Sequence, residues 1–430
     1  MTRQNGESGS SKRPSGLSGS TGSGRAAHHE DGPWGRLGRA LRSIGPFALA
    51  LTVYGLALDH LPDGWFKYEW LKYVLAGLCA LAAGLLVKLG VDAAARRGTA
   101  LSTTRATTDG TVEGLFADVR DQVAKDLRTD TSTGVELSGW SQYLGDGVPP
   151  SAIGTSYGLR IVLALDVDGS KVNKAELVQS ILRQQKPGGG WAASTQRDHP
   201  RPEVTAWVLE AIVRAGVDGS IREQLTEVLE ELAVADDALG LRSTTVISSL
   251  VDSFCEVAPS SPTLPKLVRT LVDGAVNAEG FPASWGRELT NGPKGSPAHT
   301  ARAVVALARA SRVLGEEEEM RPLLDSATTW LNAGTFGFGP DYEELRRSVV
   351  GGVEGLYIGH FTAAWVARAL MAHRIEADVE SRLADVMAEV VKHQKNGVWT
   401  WTDGRKPLWM MYQGLVVVRQ YALRRTALVR

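Results

Sequence analysis

The chain has 430 residues, more than one small core can use, which suits one large domain or two ordinary ones. Its 47 Lys+Arg and 48 Asp+Glu leave a net charge of −1, which excludes any bulk electrostatic attraction to nucleic acid. Two cysteines, Cys79 and Cys255, exclude a disulfide scaffold and a Cys-rich zinc module, and fit a reducing compartment. The compositional oddity is 47 Gly together with 12 Trp, more Trp than Tyr or Phe, and the positions of these residues organise the chain.

Residues 1–33 are Ser/Gly-rich and too polar to offset the entropy of ordering, so they read as a disordered tail. Two apolar runs follow within residues 34–92: Ile44 to Leu58, and Trp70 to about Val91. The second has the roughly 20 residues needed to span hydrocarbon, while the first needs Ala40 and Leu41 to reach it. Trp65, Phe66, Tyr68, Trp70 and Tyr73 cluster at the link, as an interfacial aromatic belt would. Arg36, Arg39 and Arg42 precede the first run and Arg96 and Arg97 follow the second, whereas the link carries Asp59, Asp63, Glu69 and a lone Lys67. This asymmetry predicts a transmembrane helical hairpin with both ends in the cytoplasm; a buried globular hairpin is the alternative. Residues 93–110 read as a linker.

From residue 111 to 430 two kinds of helix signal alternate. Amphipathic segments open at Asn173-Lys-Ala-Glu176 and Ser220-Ile-Arg-Glu223, both capping-box patterns. More apolar, Ala-rich segments run from Ser156, Val204, Ser243, His299, His360 and Trp409. The amphipathic helices are predicted outside and the apolar ones inside. Most pairs carry a Gly-aromatic turn: Gly139-Trp140, Gly190-Trp191, Gly280-Phe281 with Trp285, Gly337-Phe338 and Gly397-Val398-Trp399. Neither end has a clear polar capping repeat, so a closed ring fits better than an open solenoid.

Gln185-Lys-Pro-Gly-Gly-Gly-Trp191, followed by Arg201-Pro-Glu-Val-Thr-Ala-Trp207, resembles the repeats of squalene/terpenoid cyclases and of protein prenyltransferase β subunits. His393-Gln394-Lys-Asn-Gly397-Val-Trp399 repeats the theme. The resemblance implies an all-α fold, an α/α toroid of about six helical hairpins with the inner helices around a cavity. The family's chemistry does not come with it. The acidic cluster that protonates an alkene is incomplete at Asp236-Asp237 and at Asp166-Val-Asp168, and no Asp-Asp-x-x-Asp metal motif is present. The prenyltransferase zinc set would need Asp-x-Cys where Pro297-Ala-His299 stands, so His360 alone carries over, and Asp252 and Cys255 lie one helix earlier. Neither a metal nor a cofactor is expected.

Tyr157, Trp207, Phe254, Trp365, Trp409 and Tyr412 fall on inner helices, with His299 and His360 at helix starts, and these are the candidate cavity-lining residues. A glycosidase would need paired carboxylates about 5–10 Å apart. Asp146, Asp198, Glu203, Asp341, Glu343, Glu344 and Asp403 lie in turn regions mixed with Arg197, Arg201, Arg287, Arg346, Arg347 and Arg405, and so read as solvated surface. Two long loops, Gly280 to Pro297 and Gly334 to Gly359, are long enough for lids or docking surfaces. The sequence therefore points to a membrane-tethered cytoplasmic toroid that binds an isoprenoid or peptide ligand or a protein partner. The alternative is an enzyme of cyclase, prenyltransferase or carbohydrate-active type with a non-standard site.

Overall fold

The computed structural model describes residues 112–429, except 133, 195, 236–241, 277–281, 290–294, 335, 340, 350–351 and 374–377. The segments read as a tail, a transmembrane hairpin and a linker, and the Asp236-Asp237 pair, lie outside the described residues. No helix among the described residues is long and apolar enough to cross a membrane.

The described chain is built from helical hairpins. The outer helices are α1 (112–125), α3 (Lys174–Leu182), α5 (Gly219–Ala235), α7 (Thr263–Asp273), α9 (Glu317–Ala333) and α11 (Asp378–Lys392). The inner helices are α2 (Ala152–Ala164), α4 (Pro202–Arg214), α6 (Thr244–Val257), α8 (Pro297–Leu314), α10 (Thr362–Ala372) and α12 (Leu408–Val429). Each inner helix packs on the next around the ring, and α12 returns to α2. The α/α toroid is therefore closed, and no polar capping repeat is needed. The seam is stitched by backbone bonds from Leu144 N to Lys406 O at 3.0 Å and from Leu408 N to Gln142 O at 3.0 Å.

The Gly-aromatic turns do more than fill the seams. At four of them a buried indole donates its Nε1–H to a carbonyl in the last turn of the preceding outer helix. The pairs are Trp140 to Val123 (3.0 Å), Trp191 to Ile181 (2.9 Å), Trp285 to Leu271 (2.7 Å) and Trp399 to Val390 (3.0 Å). Carbonyls at a helix end lack an intrahelical partner, so the indole satisfies one of them without water. In three of the turns the Trp backbone N–H also donates to a Thr hydroxyl one turn into the following inner helix: Thr155 (3.2 Å), Thr205 (3.1 Å) and Thr300 (2.9 Å). One Trp and one Thr thus tie an outer helix to its inner successor. Gly158 and Gly414 let the inner helices pass directly beneath Trp140 and Trp399, where a Cβ would overlap the indoles.

Asn173 caps α3 as expected, accepting from Glu176 N at 3.3 Å. Helix α5 differs from the sequence reading. It begins at Gly219, one residue before Ser220, and Asp218 caps it by accepting from Ser220 N at 2.9 Å. A carboxylate two residues before the first free N–H outcompetes the hydroxyl for that role.

The largest departure is the loop between α9 and α10. Two short strands, β1 (Arg128–Asp130) and β2 (Leu137–Gly139), pair ahead of α2, whereas this loop folds as a longer antiparallel hairpin, β3 (Asp341–Val349) and β4 (Gly352–His360), registered Asp341 to His360 and Glu343 to Ile358. Glu343, Leu345, Ile358 and His360 face inward and are buried, while Tyr342 and Tyr357 are exposed. This arm leans over the N-terminal ends of the inner helices. His360 is therefore the last residue of β4 and does not open α10, which begins at Thr362.

Candidate functional site

Two constellations stand out, one under the hairpin and one in the bore. Under the hairpin, His299 comes from the first turn of α8, Glu343 from β3 and His360 from the end of β4. All three are at most 1% exposed. Glu343 Oε2 lies 3.3 Å from His299 Nε2, and Glu343 Oε1 lies 3.0 Å from His360 Nε2. The two imidazole rings meet edge to face at 4.9 Å. One atom from each residue falls within 4.8 Å of the other two.

The hydrogen bonds around this trio decide which lone pairs point inward. Ser296 Oγ donates to Asp341 Oδ2 at 3.3 Å, so its lone pair is left to accept from His299 Nδ1 at 2.8 Å. That assigns the proton of a neutral His299 to Nδ1 and turns a bare Nε2 toward the carboxylate. Glu343 Oε1 and His360 Nε2, despite their 3.0 Å separation, are not aligned as a hydrogen bond, and neither has another partner. Burial opposes ionisation of Glu343, yet its two imidazole neighbours hold it well below the usual carboxylate range. Burial likewise pushes His360 down, to about 4, with help from the Arg302 cation, so this imidazole is neutral. A buried carboxylate beside the bare Nε2 of His299, and a His360 ring with no hydrogen-bond partner on either nitrogen, are costly unless a cation stands among them.

The donor set fits zinc. Bonds of roughly 2.0–2.1 Å in a tetrahedral shell place neighbouring ligand atoms roughly 3.3 Å apart. Glu343 approaches the two imidazoles through different oxygens, at 3.3 and 3.0 Å, and one atom from each residue lies within 4.8 Å of the others, so binding would draw the ligand atoms slightly together. Zinc favours His nitrogen and carboxylate oxygen, and the Nδ1–H to Ser296 bond is the kind of outer contact that orients a ligating imidazole. The sequence reading expected no metal. It placed Glu343 among solvated turn acids because the hairpin that buries it was read as a loop.

No protein-family model and no curated protein matches the sequence. Solved structures do. A family 76 α-1,6-mannanase from Salegentibacter sp. HEL1_6 is similar over 72% of this chain and 98% of its own, at 13% identity and a TM-score of 0.46. A family 76 glycoside hydrolase (mannosidase) from Bacteroides thetaiotaomicron VPI-5482 covers 74% and is itself covered in full (100%), at 10% identity and 0.44. The type II terpene cyclase MstE from Scytonema covers 73% of this chain and 97% of its own, at 12% identity and 0.43. These likenesses assign no chemistry, which has to come from the residues of the site itself.

The bore holds two connected spaces. The one at the mouth is lined by Tyr157, Trp207, Trp401, Trp409 and the hairpin residues Tyr342 and Tyr357. The deeper one is lined by Tyr157, Trp207, Trp365 and Tyr412 with a set of arginines and acids. Five of the eight sequence candidates therefore line the cavity. Phe254 does not; it is fully buried between helices, on the flank of α6 that packs into the core. His299 and His360 line neither space, because they turn toward Glu343.

The deep wall carries a charge network that the sequence did not disclose. Arg160 pairs with Glu210 at 3.1 Å, Arg214 with Glu210 at 2.7 Å and with Glu256 at 3.2 Å, and Arg309 also contacts Glu256. Burial raises the Glu210 carboxyl, but Arg160, Arg214 and Arg309 outweigh it and the net shift is downward. Asp252, dominated by burial, is pushed up. Arg201 and Glu203, also expected at the surface, form a buried pair at 2.5 Å. From there Arg201 Nη2 reaches Leu345 O of the hairpin at 3.0 Å. Arg160, Glu210, Arg214, Asp252 and Arg309 sit on inner helices, spaced so that they face the bore. A helix apolar on both flanks hides that third, polar face from a simple inside–outside reading.

Proposed function

We propose that this chain is a ligand-binding toroid whose hairpin roof is fastened by a divalent metal ion, zinc by donor type, held by His299, Glu343 and His360. The convergence of three buried ligand atoms, two of them without hydrogen-bond partners, carries this reading. Bound there, the metal supplies positive charge to a buried carboxylate and a cross-link between α8 and both strands of the arm. The ligands face away from the cavity, so this role is structural. Burial, with a lesser contribution from Arg302, keeps His360 neutral, the form a ligand requires, and the Glu343 charge offsets the repulsion between Arg302 and the metal. The roof then fixes Tyr342 and Tyr357 over the mouth of the cavity, where the aromatic wall suits a ligand with an apolar portion. The two apolar runs before residue 93 would tether the toroid to a membrane with its bore in the cytoplasm. Protease accessibility of the toroid in sealed vesicles of known orientation tests that part.

Elemental analysis of the full-length protein tests the metal. One zinc per chain, lost in Glu343→Gln, is expected; substoichiometric metal that is unchanged by that substitution refutes the reading. One observation favours a second reading, that of a hydrolase. Glu210 and Asp252 both lie within 4 Å of the Arg309 guanidinium and titrate in opposite directions, the pattern of a general base and a general acid. Turnover of a glycoside panel that is abolished by both Glu210→Gln and Asp252→Asn would establish it.

A further inference from the structure

The deep cavity has more positive charge than its own acids neutralise. Arg160, Arg214 and Arg309 are taken up by Glu210, Asp252 and Glu256. Arg302 and Arg368 have no carboxylate within salt-bridge distance among the described residues. Instead, both guanidinium groups lie over the ring of Trp365, at 4.3 and 4.5 Å from its centroid. Arg302 is 5% exposed, and its one hydrogen bond is a long one, Nη1 to Ser249 Oγ at 3.4 Å. Its Nε has no partner.

The neighbouring donors are also unpartnered. Trp365 Nε1 and Ser248 Oγ are buried without a hydrogen bond, and both residues line the same space as Arg302 and Arg368. Buried N–H and O–H groups almost always find acceptors, and an uncompensated buried guanidinium is costly. Burial accordingly lowers the pKa of Arg302 from its ordinary value, while the guanidinium keeps its charge. Three unpartnered donors and two surplus cations around one cavity describe a complement for oxygen acceptors carrying negative charge.

We infer that the deep end of the bore is an oxyanion site, in which Arg302, Arg368, Trp365 and Ser248 receive the carboxylate or phosphate group of a small ligand. The rest of the ligand extends toward the mouth between Tyr157 and Trp207, which line both spaces. Trp365 acts twice, as a platform that keeps the two guanidinium groups side by side and as an N–H donor to the anion. Arg368, Trp365 and Ser248 have no part in the metal reading, so the Arg368 variant tests this site independently of the metal.

Isothermal titration of the full-length protein with inorganic phosphate and with benzoate, at constant ionic strength made up with chloride, tests the site. Saturable binding of one equivalent is expected for at least one of the two probes, and which one binds identifies the source of the oxyanion. Arg302→Gln and Arg368→Gln should each weaken it by roughly tenfold to a hundredfold, the worth of a charge-assisted hydrogen bond. Arg197→Gln, at the exposed rim, should leave it unchanged. Arg368 is only half-buried, so its variant remains informative if the Arg302 variant fails to fold. Binding that does not saturate, or that is equal in Arg368→Gln and the parent, overturns the inference.

Discussion

Replacing Trp191 by Phe tests whether the indole-to-carbonyl contact holds the ring together. The side chain is fully buried and its Nε1–H donates to Ile181 O at 2.9 Å, at the end of α3. Phe keeps most of the apolar surface but cannot donate, so a buried helix-end carbonyl loses its partner, at a cost of about 1–3 kcal/mol. The smaller ring also leaves a void, which adds about 1 kcal/mol. Together they predict a loss of about 2–4 kcal/mol, or roughly 4–8 °C in Tm for a domain of this size. Urea unfolding followed by far-UV circular dichroism measures it. Thr205→Val removes the hydroxyl that accepts from Trp191 N at 3.1 Å, and the double variant should lose less than the sum of the two because they share one network. A loss below about 0.5 kcal/mol for Trp191→Phe would refute the argument, since it would mean water replaces the indole at that carbonyl without penalty.

Three further outcomes are expected. Zinc added to chelator-treated protein should raise Tm, and a hundredfold excess over Kd corresponds to about 2.7 kcal/mol; His360→Ala should abolish the shift in a thermal melt. Cys255, whose thiol is pushed up to about 12 chiefly by burial, should resist iodoacetamide in native protein at pH 8 and react only on unfolding, as intact-mass spectrometry would show. Glu210 and Asp252 should respond to pH with opposite signs. The folded carboxyl of Glu210 lies below its ordinary 4.5, so its stabilisation is present above that pH and is lost as pH falls; Glu210→Gln should cost about 3 kcal/mol at pH 7 and less in acid. The folded carboxyl of Asp252 lies above its ordinary 3.8, so stability falls as pH rises through the folded value; Asp252→Asn should match or exceed the parent at pH 7, by chemical denaturation.

The toroid itself was legible because its turns repeat. Gly-Trp followed by an Ala-rich helix recurs along the chain, and the sequence positions of Trp140, Trp191, Trp285 and Trp399 marked the places where outer helices end. The cavity wall was partly legible for the same reason, since Tyr157, Trp207, Trp365, Trp409 and Tyr412 ride on the helices with the most apolar character. Glu343 was not, because it belongs to an arm outside the repeat. The signal was weak: neither Leu345-Arg-Arg-Ser-Val349 nor Val353-Glu-Gly-Leu-Tyr-Ile358 alternates apolar with polar, and only the Gly351-Gly352 pair in the sequence suggests a turn between two strands. An acid in phase with Leu345 on such a strand belongs on the buried face. His299 and His360 were singled out from sequence, yet their common partner depends on strand register, which periodicity in the helices does not convey. The arginines of the bore were overlooked for a different reason. Arg302 and Arg368 are lone charges in apolar helices, and only ring closure brings them to one aromatic face.

Ring closure also sets the order in which the protein is completed. The flank of α2 is covered by α12, which comes from the last residues of the chain. While the chain is being made, every hairpin from α3 to α11 can find its neighbour, but α2 has one bare apolar side until Leu408 and the residues after it have emerged. A premature stop anywhere in α12 leaves two unlike helix faces, those of α2 and α10, open to solvent at once. Such a product resembles the exposed intermediates that chaperones and proteases recognise. Docking of α12 thus reports whether the ring has been made in full.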